Sequence, residues 1–202
     1  MAGLRERKKE QTRQRIAAAA LKLFTERGFD AVTVNEIAEA AELARATVFA
    51  YFPSKESLVL QGVGEEDLAG IVAGRSPGQS PLEALRAHYR AFATGPVAAT
   101  DREALITRMR VIFDSPVLSR AANGLLYRQR QALARVLAEE YGEMTAVLMA
   151  AQITASLLAL QEAFFNRLTV GTPLEEAGGG LAEDVELAFD LLEHGIDHAK
   201  GQ

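Results

Sequence analysis

Residues 33–58 decide the reading of this chain: Thr33-Val-Asn-Glu-Ile-Ala-Glu-Ala-Ala41, then Glu42-Leu43-Ala44, then Arg45-Ala-Thr-Val-Phe-Ala-Tyr-Phe52, closed by Pro53-Ser-Lys-Glu-Ser-Leu58. Thr33 and Glu36 have the spacing of a capping box, in which the hydroxyl accepts an amide of the first turn and the carboxylate reaches back to the cap. Val34, Ile37, Ala38 and Ala41 recur at the i, i+3, i+4, i+7 spacing of a buried helical stripe. The spacing predicts a helix of about two turns, a three-residue break at 42–44, and a second short helix over Arg45–Phe52 that Pro53 ends. Two short helices across a tight turn, behind a longer one, describe a helix-turn-helix. On the second helix Val48 and Phe52 share an inward face, while Arg45, Ala46 and Phe49 point out, with Thr47 and Tyr51 at the flanks.

That geometry has a chemical use. An arginine near the amino end of the second helix is placed to donate two hydrogen bonds to guanine O6 and N7, which assigns Arg45 to base readout. Thr47, Tyr51 and Lys55 can hold phosphates, as can the first amides of a helix starting near Lys55. Upstream, a helix is expected from about Glu10 to Arg27, with Ile16, Ala20, Leu23 and Phe24 on one face and Gly28 as its stop. Ahead of it Arg5-Glu-Arg7-Lys8-Lys9 reads as a flexible basic arm over residues 1–9, Arg5 and Lys8 being candidates to enter a minor groove. The charge distribution supports an anionic partner. Net charge is −5, yet residues 1–55 carry ten Lys/Arg against seven Asp/Glu, and residues 56–202 carry twelve against twenty.

The wording Thr33–Ala41 followed by Ala46–Leu58, above all Tyr51-Phe-Pro-Ser-Lys-Glu56, resembles the amino-terminal domain of TetR-family transcriptional regulators over about residues 10–60. The resemblance implies an all-α homodimer whose first three helices bind a double-stranded DNA operator. It implies base-facing roles for Arg45, Ala46, Thr47 and Phe49, and phosphate contacts for Thr33, Tyr51 and Lys55. Two positions depart from the family pattern. Glu42 stands where glycine is usual, at a cost of order 1 kcal/mol in a left-handed turn. Ala44 stands where serine usually caps the recognition helix, which removes a cap worth ~1 kcal/mol.

Beyond residue 55 the 202-residue chain stays helical in pattern, with breaks at Gly74–Pro81, Thr94–Thr100, Ser115-Pro116, Tyr141-Gly142 and Val170–Gly180. Helices are expected over about 55–74, 81–93, 101–114, 117–140, 143–169 and 181–199, which gives a bundle of about six. The two-domain reading is therefore a DNA-binding head over 1–55 and an effector-binding and dimerisation body over 56–202. Helix 143–169 is apolar around most of its circumference, and the last helix carries a stripe through Val185, Phe189 and Leu192. Leu157, Leu160, Phe165, Val185, Phe189 and Leu192 are thus expected at a four-helix dimer seam, as the family resemblance also implies.

Residues 101–135 hold seven arginines against three acids, whereas 136–202 hold two basic residues against twelve acidic ones. A basic belt in an acidic body suits an anionic small-molecule effector. On the 101–114 helix Arg108 flanks the apolar face formed by Met109, Ile112 and Phe113, whereas Arg110 points away from it. Val111–Arg120 resembles the mycofactocin-type TetR subgroup with acyl-CoA-like ligand domains, which implies a fatty acyl-CoA effector in a pocket containing Arg108, Met109, Ile112, Phe113, Arg120, Tyr127 and Phe164. A neutral lipophilic compound in the same apolar bundle is the competing effector.

Other classes find little support. The sequence has no cysteine and three histidines, which excludes disulfides, thiol catalysis and zinc ribbons and leaves little for a metal site. His194 and His198 are four apart on one helical face, a spacing that can bind a metal, but no third helix supplies a ligand cluster. No serine sits in a nucleophile elbow, and Gly178-Gly-Gly180 is no phosphate loop. The expectation is a non-enzyme without cofactor or metal. No signal peptide is visible, and Met144–Leu160 is read as too short and too polar to span a bilayer, so the expected location is cytoplasmic with no membrane partner.

Overall fold

The computed structural model describes residues 2–94 and 102–195, and these are all-helical apart from turns. In chain order the helices are α1 (Ala2–Arg27), α2 (Val34–Ala40), α3 (Arg45–Tyr51), α4 (Ser57–Leu60), α5 (Leu68–Ala73), α6 (Pro81–Thr94), α7 (Arg102–Asp114), α8 (Pro116–Tyr141), α9 (Glu143–Thr169) and α10 (Leu174–His194). An amino-terminal helix-turn-helix precedes a helical carboxy-terminal part, as expected. The chain forms two compact units, one of residues 1–63 with 103–124 and one of 64–102 with 125–202. The first unit thus also takes in α7 and the start of α8, which a division at residue 55 left with the body.

In the first unit α1 packs against α2 and α4, and α2 against α3. Ile16, Ala20 and Phe24 of α1 meet a core of Ile37, Ala38, Val48, Phe52 and Leu58, all buried. The Phe24 and Phe29 rings lie 5.0 Å apart across the turn at Gly28, whose φ of 79° suits the glycine there. The second unit is built round α6, α9 and α10, with Leu85, Tyr89, Leu133, Leu137, Ile153, Leu157, Val185 and Phe189 in one continuous core. Arg90 clamps Glu186 through two bonds of 2.7 Å, and Arg86 Nη1 lies 3.4 Å from Glu193, which ties α6 to α10 at the surface.

Four expectations change. Arg5 and Lys8 are not on a flexible arm, because α1 begins at Ala2 and carries both as exposed helical residues. The stretch 5–15 is rich in Lys, Arg, Glu and Gln, all good helix formers, and Gln14 Nε2 bonds Glu10 one turn back at 3.1 Å. A continuous helix over 55–74 is absent. Gly62 and Gly64 take φ of 86° and 65°, which stops α4, and Asp67 then caps α5 by accepting from the Gly70 amide at 2.8 Å. Gly178-Gly-Gly180 is no linker but lies inside α10. A Cβ on Gly180 would come 3.1 Å from the Arg167 guanidinium, which crosses there to Asp184 at 2.5 Å, so the bare backbone makes room for an ion pair. Lastly, α9 is 27 residues long and its most apolar window has a mean hydropathy of 1.5, long and apolar enough by length and composition to cross a membrane. Its Ala146, Ala150, Ile153, Leu157 and Leu160 lie in the core of the second unit, whereas Met144, Val147, Leu148 and Leu158 stay exposed.

Glu42 adopts φ of 52°, the left-handed conformation that the short turn demands and a side chain resists. Replacing it by glycine is expected to stabilise the chain by ~1 kcal/mol, read as a shift in denaturant midpoint at constant slope. An unchanged or lower midpoint for Glu42→Gly would show that the glutamate makes a compensating contact.

Candidate nucleic-acid interface and effector region

The interface is built on the turn and on α3. At the start of α2 the capping box is complete: the Glu36 amide donates to Thr33 Oγ1 at 3.3 Å, and the Thr33 amide to Glu36 Oε2 at 2.7 Å. Arg27, which the sequence reading passed over, locks the box from α1 by donating to Glu36 Oε1 at 2.7 Å and to the Ala31 carbonyl at 3.0 Å. The Thr33 backbone bond, then the Arg27 guanidinium, hold the Glu36 carboxyl down at about 2. The folded value is depressed, so this contribution is full above the ordinary value of 4.5 and disappears only as pH falls through about 2. Helix α3 has Ala44 at its N-cap with no side-chain bond, as its sequence implies.

Exposure along α3 follows the expected faces. Val48 and Phe52 are buried, Arg45, Ala46 and Phe49 are exposed, and Thr47 and Tyr51 are half-buried at the flanks. The Arg45 guanidinium lies over the Phe49 ring, 5.4 Å from its centroid. Arg13 similarly covers Phe52 from α1, at 5.1 Å. Lys55 sits against α1 and its turn: its ammonium is 4.2 Å from the Phe29 centroid and 5.8 Å from that of Phe24. Desolvation there pushes its pKa below the ordinary lysine value, with Asp30 pulling it back. Nor does a long helix begin at Lys55. The Ser57 amide is already taken by Ser54 Oγ at 3.2 Å, which removes it from the expected anion site.

The residues expected around an effector are drawn from both units. Arg108, Met109, Ile112, Phe113 and Arg120 belong to the first unit, and Tyr127 and Phe164 to the second. Ile112 is buried, Arg108 and Met109 are half-buried, and Phe113, Arg120 and Tyr127 are exposed. Phe164 packs against the core of the second unit, and Arg130 covers the Tyr127 ring at 4.9 Å. What the first unit does hold is a cleft of about 480 Å³ on the opposite face of α7. Arg110 lines it with Asp114, facing Arg27, Asp30 and Phe29, so the arginine expected to point away is the one at the cleft.

The residues expected at a dimer seam are covered within the single chain. Leu157, Leu160, Val185 and Phe189 belong to the core of a single chain, Leu192 packs against that core, and Phe165 is buried. On α9 and α10 the apolar side chains left outside are Met144, Val147, Leu148, Leu158 and Leu187. A stripe legible in sequence does not say whether the covering layer comes from the same chain or from a second copy.

A second polar cluster escaped the sequence reading. Glu66, in the break between α4 and α5, accepts from the Tyr89 hydroxyl and lies 2.6 Å from His88 Nε2, while Gln129 Nε2 donates to its backbone carbonyl at 2.7 Å. Burial and the Glu66 carboxylate push the Tyr89 phenol far up. His194 bonds within its own helix, to Asp190, and His198 lies outside the described residues.

Comparison with known proteins agrees with this architecture. Residues 16–61 match the family model of bacterial regulatory proteins of the tetR family, and residues 79–197 match that of the MftR C-terminal domain. The chain is 28% identical over 193 residues to MftR of Mycobacterium tuberculosis strain H37Rv, named for regulation of mycofactocin biosynthesis, covering 95% of this chain and 94% of that protein. It is 34% identical over 122 residues to the transcriptional regulator TcmR of Streptomyces glaucescens, covering 57% of this chain and 54% of TcmR. NalD, described as the secondary repressor of the MexAB-OprM multidrug efflux pump in Pseudomonas aeruginosa, shares the fold, with a TM-score of 0.58 at 19% identity over 89% of this chain and 96% of that one. The chain belongs to the TetR family of bacterial regulatory proteins, with a carboxy-terminal part of the MftR type.

Proposed function

We propose that this regulator is a homodimeric repressor that holds a palindromic operator through α3 and leaves it when a small molecule binds. The observation that carries the reading is the presentation of Arg45 and Phe49 on the outer face of a recognition helix whose inner face is buried. A homodimer would place two α3 helices about 34–36 Å apart, one turn of B-DNA, or a multiple of that. Exposed Leu148 and Leu158 on α9 and Leu187 on α10 supply the apolar surface that a second copy would cover. Such a regulator acts where the operator is, in the bacterial cytoplasm, with no membrane partner, no cofactor and no catalytic role.

The effector reading is a fatty acyl-CoA, supported by the seven arginines within residues 101–135. A neutral lipophile is the second reading, favoured by the continuous apolar core of the second unit. The discriminating experiment is fluorescence anisotropy on duplex DNA from upstream of the protein's own gene, titrated with palmitoyl-CoA, palmitate and CoA separately. Release of a tightly bound duplex by palmitoyl-CoA alone supports the first reading. Retention through all three titrations turns the effector search to neutral lipophiles. Coupling sufficient for a hundredfold loss of affinity amounts to ~2.7 kcal/mol.

A further inference from the structure

The exposed residues of α3 are Arg45, Ala46, Phe49 and Ala50. Two of these are alanines that reach no further than Cβ. Whatever α3's outer face recognises beyond shape is therefore recognised by Arg45 and Phe49, with half-buried Thr47 and Tyr51 beside them. These two side chains are one turn apart and in contact, the guanidinium carbon standing 5.4 Å from the ring centroid.

Other cations of the first unit also sit over rings, but with a different role. Arg13 covers Phe52 and Lys55 covers Phe29, and both rings are buried at 1% and 5% exposure. Those contacts cover a core. Phe49 is 38% exposed. A large apolar ring held in water on a surface of small residues has no packing role that accounts for it. Its contact with Arg45 also leaves the arginine usable. A cation–π contact of this kind uses none of the guanidinium N–H groups as a hydrogen-bond donor to a protein acceptor. Among the described residues, no hydrogen bond or ion pair takes up the Arg45 guanidinium. The edge that reads O6 and N7 of a guanine is open, and the ring below it removes rotamers that would otherwise be lost on binding.

We propose that Phe49 is a positioning and specificity-determining residue of this regulator. Its ring aims the Arg45 guanidinium at one guanine of each half-site, and its free edge packs on the C5-methyl of a thymine beside that guanine. Arg45 and Phe49 therefore read a two-base-pair step as a unit. The proposal rests on the DNA-binding reading above and adds to it a prediction of the bases read.

The test uses the full-length protein. Wild type, Phe49→Leu, Phe49→Tyr and Arg45→Ala are each put through selection from a random-sequence duplex pool. Binding is then measured by anisotropy on the selected duplex, on the same duplex with the guanine pair exchanged, and with deoxyuridine replacing the neighbouring thymine. Wild type is expected to prefer the guanine by at least tenfold and to lose a few-fold on deoxyuridine. Phe49→Leu should lose most of the guanine preference with Arg45 still present, and should be indifferent to deoxyuridine. Phe49→Tyr, which keeps the ring, should restore both. Circular dichroism melting checks that the variants are folded, which exposure at residue 49 leads one to expect.

A Phe49→Leu protein as selective for guanine as wild type overturns the proposal while leaving the regulator reading intact. A wild type with no base preference overturns both.

Discussion

Replacing Arg45 with alanine is expected to cost ~1–3 kcal/mol at each half-site, tenfold or more in affinity for the operator, and almost nothing on unrelated DNA. The arginine is exposed and lies over the exposed Phe49 ring, so its removal leaves the fold of the first unit in place. Lys55→Ala should behave differently. A phosphate contact contributes equally on every sequence, so its loss lowers specific and non-specific binding together and reduces the salt slope by about one. Lys55 also lies against Phe29 and Phe24, so the same substitution should lower stability by ~0.5–1 kcal/mol. Anisotropy at several salt concentrations, on a selected and a scrambled duplex, separates the two residues. Equal losses for Arg45→Ala on both duplexes would reassign it to the backbone.

The second large effect is on the body. Phe189→Ala is expected to destabilise the protein by ~3–5 kcal/mol, because the ring is 1% exposed and packs 6.2 Å from Tyr89 between α10 and α6. Its neighbour on the same helix, Leu187, is 58% exposed. Leu187→Glu should leave the melting of the isolated chain within ~0.5 kcal/mol but weaken dimerisation, as a charge would be placed in an apolar seam. Denaturant unfolding with sedimentation velocity distinguishes the two. If Leu187→Glu still sediments as a dimer at low micromolar concentration, the seam lies elsewhere.

Much of the head was legible because its signals are local. The Thr33–Glu36 box, the stripe from Val34 to Ala41, the stop at Pro53 and the strained position of Glu42 each follow from residues within one or two turns. Local rules also fixed which side of α3 faces out. They failed where the deciding partner is remote in sequence. Nothing in residues 33–36 announces Arg27 on a preceding helix. The spacing of α10's apolar residues shows one face to be covered, yet only packing shows that Leu85 and Tyr89 of α6 do the covering. Gly178–Gly180 read as a break because glycine disfavours helix, while in the structure the missing Cβ at Gly180 accommodates the Arg167–Asp184 pair. The effector region was the least legible, since Arg108 and Arg110 differ in surroundings that periodicity on one helix does not fix.

Sequence-specific reading of DNA through the outer face of α3 is the proposal on which the others depend. Its most direct test is selection of wild-type protein against a random duplex pool, followed by anisotropy on the enriched and a shuffled duplex at physiological salt. The expected result is an enriched twofold-symmetric site with at least one guanine in each half, bound at least a thousandfold tighter than the shuffled duplex, the lower end of the ~10³–10⁷ range for specific recognition. A pool that returns no common sequence, or equal affinity for the two duplexes, would contradict it.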